Sequence, residues 1–145
     1  MSFSIFPTDS IKLVTGGIPL GLTSASVNSG LTTSSYIDGR NFSGALLSLK
    51  VGAVGGAASA NLITAAIMHC ATTNGTYAVY VDDKGVSALT TVTAADTNAQ
   101  LSVDLRGHLG YLKVRSSQSY TGGTTPGCVL NMDLILGGSN TLPPV

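Results

Sequence analysis

Residues 62–81 read LITAAIMHCATTNGTYAVYV, and the fold class turns on whether the first half of that stretch is helix or strand. Ala is frequent from Ala57 to Ala71, and Leu62, Ala66 and His69 can share one helical face. Against a helix stand the β-branched Ile63, Thr64 and Ile67 and the Asn74-Gly75 dipeptide that follows. Both turn residues tolerate positive φ and are suited to a tight hairpin into Tyr77-Ala78-Val79-Tyr80-Val81. A strand is preferred, and with it an all-β chain.

Working outward, short apolar runs recur between turn signals. Ile11–Val14 and Ile18–Leu22 flank Gly16-Gly17, and Tyr36-Ile37 leads into Asp38-Gly39, a dipeptide suited to a hairpin. Ala45–Val54 is a strand candidate, followed by a loop from Gly55 to Asn61. Downstream, Asp82-Asp83-Lys84-Gly85 is a turn and Val86–Thr93 a strand. Ala99, Leu101 and Val103 alternate with Gln100, Ser102 and Asp104, and Leu112 and Val114 alternate with Tyr111, Lys113 and Arg115. Both runs show the period of two expected of half-buried strands. A Gly, Ser and Thr-rich loop is expected over Ser117–Gly127, then a last strand over Cys128–Leu136 closing at Gly137-Gly138. About eight to ten strands emerge, the spacing of a sandwich or barrel.

Composition sets the frame. The chain has 145 residues, one domain's length, and 43% are hydrophobic. Seven Lys and Arg balance seven acidic residues, all of them Asp, so no bulk field draws nucleic acid or an anionic membrane. Net charge near zero favours association. The absence of Glu and Trp, with 18 Gly and abundant Ser and Thr, favours strands and turns over helices. Val51–Met68 is uncharged, but Gly55, Gly56, Ser59 and Asn61 make it too polar for a membrane helix. Met1–Ile11 lacks a basic cluster, and Pro7 and Asp9 interrupt its apolar run, which argues against a secretory signal and for folding in a reducing cytosol. Cys70 and Cys128 can pair, yet both sit in apolar strand-like runs where a buried free thiol is the commoner state.

A search for catalytic and ligand motifs is mostly negative. There is no phosphate loop, paired-Cys zinc spacing, helix-borne His pair or nucleophile elbow. His69 beside Cys70, with His108 and the aspartates, permits a nucleophile and base on paper; the plainer reading puts His69 on a polar strand face and Cys70 in the core. Asp82–Gly85 lacks the alternating ligands and terminal Glu of a calcium loop and reads as a solvated turn. Asn41-Phe42-Ser43 and Asn74-Gly75-Thr76 match the glycosylation triplet, which carries no meaning without a signal peptide. Arg106-Gly107-His108 with Lys113 and Arg115 gathers basic groups beside Tyr111, with Asp104 offering a salt-bridge partner. That group reads as a solvated face or a protein interface.

The second half of the chain resembles a known family. It is carried by Leu62–Tyr80, by Ala99-Gln100-Leu101-Ser102-Val103-Asp104-Leu105-Arg106-Gly107, by Tyr111-Leu112-Lys113-Val114-Arg115, and by Thr121–Gly127 leading into Cys128–Gly138 and a Pro-containing tail. These residues resemble the jelly-roll cement, or decoration, proteins on the outside of tailed-bacteriophage capsids, of the kind carried by Bordetella phages. The chain departs from that pattern at His69-Cys70-Ala71-Thr72, where the family has an acidic turn.

The resemblance implies a jelly-roll β-sandwich of about eight strands over residues 11–138, with an extended N-terminal arm at 1–10 and a C-terminal tail at 139–145. It implies a structural protein of the virion, made in the host cytoplasm, that clamps major capsid subunits without enzymatic activity, cofactor, metal or direct contact with DNA. Phe3, Ile5, Phe6 and Pro7 in the arm, and Leu142, Pro143 and Pro144 in the tail, are the candidate contacts to the major capsid protein or to another copy. A homodimer is expected, with a trimer as the alternative. A tail or fibre-associated module binding a host glycan is the second reading, through Tyr36, Tyr111 and Tyr120; an enzyme with His69 or His108 against an Asp is a distant third.

Overall fold

The computed structural model describes residues 11–15, 20–23, 26–29 and 36–139, with side chains from 36 to 138. The arm and tail candidates Phe3, Ile5, Phe6, Pro7, Leu142, Pro143 and Pro144 lie outside the described residues. Those residues hold eleven strands and no helix: β1 (Ile11–Thr15), β2 (Leu20–Thr23), β3 (Ser26–Ser29), β4 (Ile37–Asp38), β5 (Phe42–Gly55), β6 (Ala60–Cys70), β7 (Ala78–Val79), β8 (Leu89–Val92), β9 (Thr97–Asp104), β10 (Tyr111–Thr121) and β11 (Gly127–Ser139). The uncharged run Val51–Met68 is therefore the end of β5, a corner and most of β6, and no helix among the described residues is long and apolar enough to cross a membrane.

All pairings are antiparallel. The first sheet runs β1-β11-β5-β9, with β2 also on β11; the second runs β3-β10-β6-β7, with β4 on β10 and β8 on β6. Three strand pairs are single edges broken in two. β1 and β2 pair successive stretches of β11, β3 and β4 of β10, and β7 and β8 of β6. Counting each broken edge once leaves eight positions, ordered 1-8-3-6 in one sheet and 2-7-4-5 in the other. That is one long hairpin, with first strand on last and the middle strands on each other, rolled into two layers: a jelly-roll sandwich.

Alternation places the core. Val51, Leu49, Leu47 and Ala45 of β5 stand opposite Leu130, Met132, Leu134 and Leu136 of β11, and all eight point inward. They meet Ile63, Ala65 and Ile67 of β6 and Leu112 and Val114 of β10, while Tyr80, Ala88, Val92 and Leu105 fill the sides. Side chains of successive residues leave opposite faces, so one face of each long strand is apolar and the other is free to differ.

Several boundaries differ from expectation for identifiable reasons. Asp38-Gly39 does not close a hairpin: β4 pairs β10 in the second sheet, whereas β5 belongs to the first, so the dipeptide sits at a crossing between layers. β6 and β7 do pair, but through residues 71–77, and neither Asn74 nor Gly75 has positive φ. Gly75 is needed there for space, since a Cβ would run into the Cys70 sulfur and Thr72. Tyr77–Val81 yields only the two residues of β7, and Val86–Thr93 only β8. β10 continues through Ser117–Thr121, part of the expected loop, because Thr64 to Ala60 of β6 pair that polar run along its full length. β11 extends one residue past Gly138, to Ser139. Asp82–Gly85 is the solvated turn expected: the Asp82 carboxylate accepts the Lys84 and Val86 N–H groups at 3.0 and 2.7 Å.

Candidate functional site

The outward residues of β10 are Tyr111, Lys113, Arg115 and Ser117, and their cross-strand neighbours on β6 are Cys70, Met68, Ala66 and Thr64. Cys70, Met68 and Ala66 are buried, yet none belongs to the central core; they are covered on the outer side. Here the fold gathers three tyrosines from distant parts of the sequence. Tyr36 meets Tyr111 edge-to-face with ring centroids 5.4 Å apart, and the Arg40 guanidinium lies over the Tyr111 ring at 5.1 Å. The Lys113 ammonium lies over Tyr77 at 4.3 Å, and the Tyr77 hydroxyl donates to the Thr73 carbonyl at 3.2 Å.

Hydrogen bonds anchor two of these groups, Tyr77 through Thr73 and Arg40 through Asp38. Asp38, opposite Tyr111 in the β4–β10 register, accepts from Arg40 Nε at 2.9 Å and from its terminal nitrogen at 2.6 Å, which fixes the guanidinium and raises its pKa further. Burial raises the Tyr77 phenol, with the neighbouring Cys70 adding to the shift, so the ring presents an uncharged hydroxyl. Among the described residues no carboxylate lies within 4 Å of Lys113 or Arg115. The result is an aromatic and cationic patch at the Tyr111–Arg115 end of β10, about 13 Å along the strand. Cations over rings are favourable in their own right, and the pairing keeps both charge and ring available from outside.

Of the tyrosines considered for glycan binding, Tyr36 and Tyr111 are thus brought together. Tyr120 is not: it points inward at the far end of β10, packed on the core beside Cys128, and burial followed by that thiol raises its pKa. Tyr77 was missed, because in the sequence it reads as an ordinary strand aromatic. No local signal connects it with residues 36 and 111.

The histidine and cysteine candidates separate. His69 is not on a polar strand face; it follows Ile63, Ala65 and Ile67 on the inward side, at the open end of the sandwich. Its ring meets Tyr80 edge-to-face at 5.1 Å, and its Nδ1 accepts the Leu109 N–H at 3.3 Å. Burial, and then the charge of His108, lowers its pKa. Cys70, the next residue, faces the other way, so the two cannot act on one substrate. Its thiol pKa is lowered by the Thr72, Ala71 and Gly75 backbone and the Thr72 hydroxyl.

His108 borders a cleft of about 570 Å³ with Arg40, Phe42, Ser43 and Arg106. Its Nδ1 donates to the Leu105 carbonyl at 2.5 Å, which leaves Nε2 as a buried acceptor without a hydrogen bond. The nearby carboxylates are committed elsewhere, Asp38 to Arg40 and Asp104 to Arg106. Among the described residues no group of three His, Cys or Asp is arranged to hold a metal. Cys70 and Cys128 are both buried and unpaired. Nine steps of β10 separate Tyr111, beside Cys70, from Tyr120, beside Cys128, about 30 Å at strand rise.

No family model and no curated protein matches the sequence. Among solved structures the chain is similar to one from Bacillus endospore appendages, described as disulfide-linked pili, at 12% identity and TM-score 0.41, over 97% of this chain and 100% of that one. It is similar to a chain of infectious bursal disease virus, Gx strain, at 12% identity and TM-score 0.41, over 90% of this chain and 31% of the viral one. A family two carbohydrate esterase from Cellvibrio japonicus follows at 10% identity and TM-score 0.31, over 94% of this chain and 36% of the enzyme. This chain thus spans about a third of the viral and esterase chains. With every TM-score under 0.5, none of these likenesses bears on function.

Proposed function

We propose that this chain is a structural virion protein that binds the outer surface of a bacteriophage capsid and clamps neighbouring major capsid subunits. The observation that carries the proposal is the outer face of the second sheet, where β10 presents Tyr111, Lys113 and Arg115, and Tyr36, Arg40 and Tyr77 from the flanking connections pack onto Tyr111 and Lys113. Such a patch is rich in Tyr and Arg and suited to a protein surface. The sequence resemblance to capsid cement proteins points the same way. Binding the expanded shell better than the immature or dissociated subunits shifts the equilibrium toward the intact shell by mass action, and many copies on a symmetric lattice add avidity. The protein acts as a homodimer, without cofactor or DNA contact, and the arm and tail supply additional contacts.

Co-sedimentation of the purified chain with expanded capsids tests the proposal. Saturable binding is expected at a copy number comparable to that of the major capsid protein, and it weakens by roughly tenfold or more in Tyr111→Ala/Lys113→Ala. The same affinity for wild type and variant would remove this face from the interaction, and no binding by either would refute the capsid role. A second reading draws on the same tyrosines: aromatic rings beside polar side chains suit a host surface glycan. Binding to host envelope polysaccharide, lost in Tyr111→Ala, with no binding to shells, would establish it instead.

A further inference from the structure

The two sheets have four edges, and three of them are interrupted. Each is formed by two described strands of two to five residues, β1 and β2, β3 and β4, or β7 and β8, whose registers do not continue one another. Short broken edges are one of the ways sheet proteins avoid pairing with another chain. The fourth edge is different. β9 runs unbroken from Thr97 to Asp104, its register against β5 steps without a bulge from Val51↔Thr97 to Gly44↔Asp104, and among the described residues no strand hydrogen-bonds to its other side.

Within β9 itself the usual protective devices are absent. Thr97–Val103 contains no Lys, Arg, Glu or Pro, and the carboxylate of Asp104 is held by Arg106. The backbone is set for pairing. Leu105 N–H donates to the Ser43 carbonyl at 2.8 Å, continuing the β5–β9 register by one pair. Because antiparallel bonds alternate along a strand, the odd-numbered residues of β9 bond to β5. Asn98, Gln100 and Ser102 therefore direct their N–H and C=O groups to the open side.

We propose that β9 is the pairing edge for a second copy of this chain, joining the first sheets of two copies into one continuous sheet about a two-fold axis. The sequence of β9 is complementary to itself in that arrangement. With Leu101 opposite Leu101 of the second copy, Ala99 stands opposite Val103 on the inner side. All three are only half-buried in one copy, packed against the core on the side where β8 of the second sheet comes close without pairing. On the outer side Gln100 stands opposite Ser102 and Asn98 opposite Asp104, pairs that hydrogen-bond without opposing like charges. Isologous two-fold contact of this kind is the commonest closed assembly. The inference deepens the homodimer part of the proposed function by assigning its interface.

The test uses the full chain in sedimentation velocity at micromolar concentration, with Gln100→Lys/Ser102→Lys and Gln100→Glu/Ser102→Glu. Both positions are exposed, so each variant is expected to fold with the circular dichroism spectrum of wild type. The wild type is expected to be a dimer, and each variant alone to dimerise roughly tenfold or more weakly, because like charges face each other across the axis. An equimolar mixture of the two variants is expected to recover the dimer. Amide exchange at Asn98, Gln100 and Ser102 slows on dimerisation, a readout that a contact elsewhere would not move. Dimers that persist unchanged in both variants would overturn the β9 interface while leaving the homodimer standing. A monomeric wild type would overturn both.

Discussion

Replacing Leu47 with Ala, and separately Leu46 with Ala, tests the alternation on which the core assignment rests. Leu47 is fully buried, with Leu134 of β11 and Leu101 of β9 as its register neighbours in the same sheet and the second sheet facing it. A cavity there is lined by other strands' side chains and has little room to collapse. The upper part of the Leu→Ala range applies, about 4 kcal/mol. For a chain of 145 residues the unfolding entropy is about 0.3 kcal/mol per degree, which converts this loss to a fall in melting temperature of about 13 °C. Leu46, one residue earlier, lies on the outer face opposite Ile135 and is only partly covered. Its truncation is expected to cost about 1 kcal/mol, or about 3 °C. Urea denaturation followed by circular dichroism should show the midpoint moving for Leu47→Ala at constant slope. Equal losses at the two positions, or a larger one at Leu46, would refute the register of β5, since a slip of one residue exchanges the two faces.

Gly123 has φ of 83°, and a Cβ there would strike the Gly56 carbonyl and Ala57, so Gly123→Ala is expected to lower stability by about 2 kcal/mol in the same assay, whereas Gly85→Ala, with open space around it, costs no more than about 1 kcal/mol. His69 has its pKa lowered by burial and then by His108, so protonation favours the unfolded chain: the stability it contributes is present above its ordinary value of 6.5 and is lost as pH falls. Its imidazole resonances should titrate below 6.5, and the melting temperature of His69→Gln should fall less than that of wild type between neutral and mildly acidic pH. Asp104 is held at about 2 by the Arg106 side chain and then the Arg106 N–H, so its contribution is present above its ordinary 3.8 and is lost as pH falls toward 2. In Arg106→Gln the Asp104 carboxyl should titrate closer to 3.8 by carbon-detected NMR.

Strands with a two-residue period declared themselves in the sequence wherever one face is buried. Leu47, Leu49 and Val51 marked β5, Ala99, Leu101 and Val103 marked β9, and Leu112 and Val114 marked β10, because burial on one side imposes alternation. The C-terminal part of β10 did not, since Ser116 and Gln118 are buried polar residues and the inward-facing pattern vanishes. Turn chemistry was less informative about partners. Asp38-Gly39 favours a change of direction, but whether the chain folds back in its own sheet or crosses to the other depends on β10, more than seventy residues downstream. The aromatic face was half legible for the same reason: Tyr36 and Tyr111 stood out as aromatics, but their contact is made through β4–β10 pairing, and Tyr77 joins them only because residues 71–77 fold over Cys70.

Pairing through β9 has a geometric consequence for capsid binding. A two-fold axis perpendicular to the shared sheet leaves that sheet's outer side on one face of the dimer and sends both second sheets to the other. The two aromatic and cationic faces then point the same way, toward one lattice, and the dimer binds at two points. Loss of β9 pairing should therefore weaken capsid binding although every residue of the aromatic face is intact. With the second contact at millimolar effective concentration, the affinity lost is on the order of 100-fold. Co-sedimentation of Gln100→Lys/Ser102→Lys with expanded capsids measures it, and the mixture of oppositely charged variants should restore binding. Full affinity in a variant shown to be monomeric would mean that each copy binds alone and that the two faces do not act together.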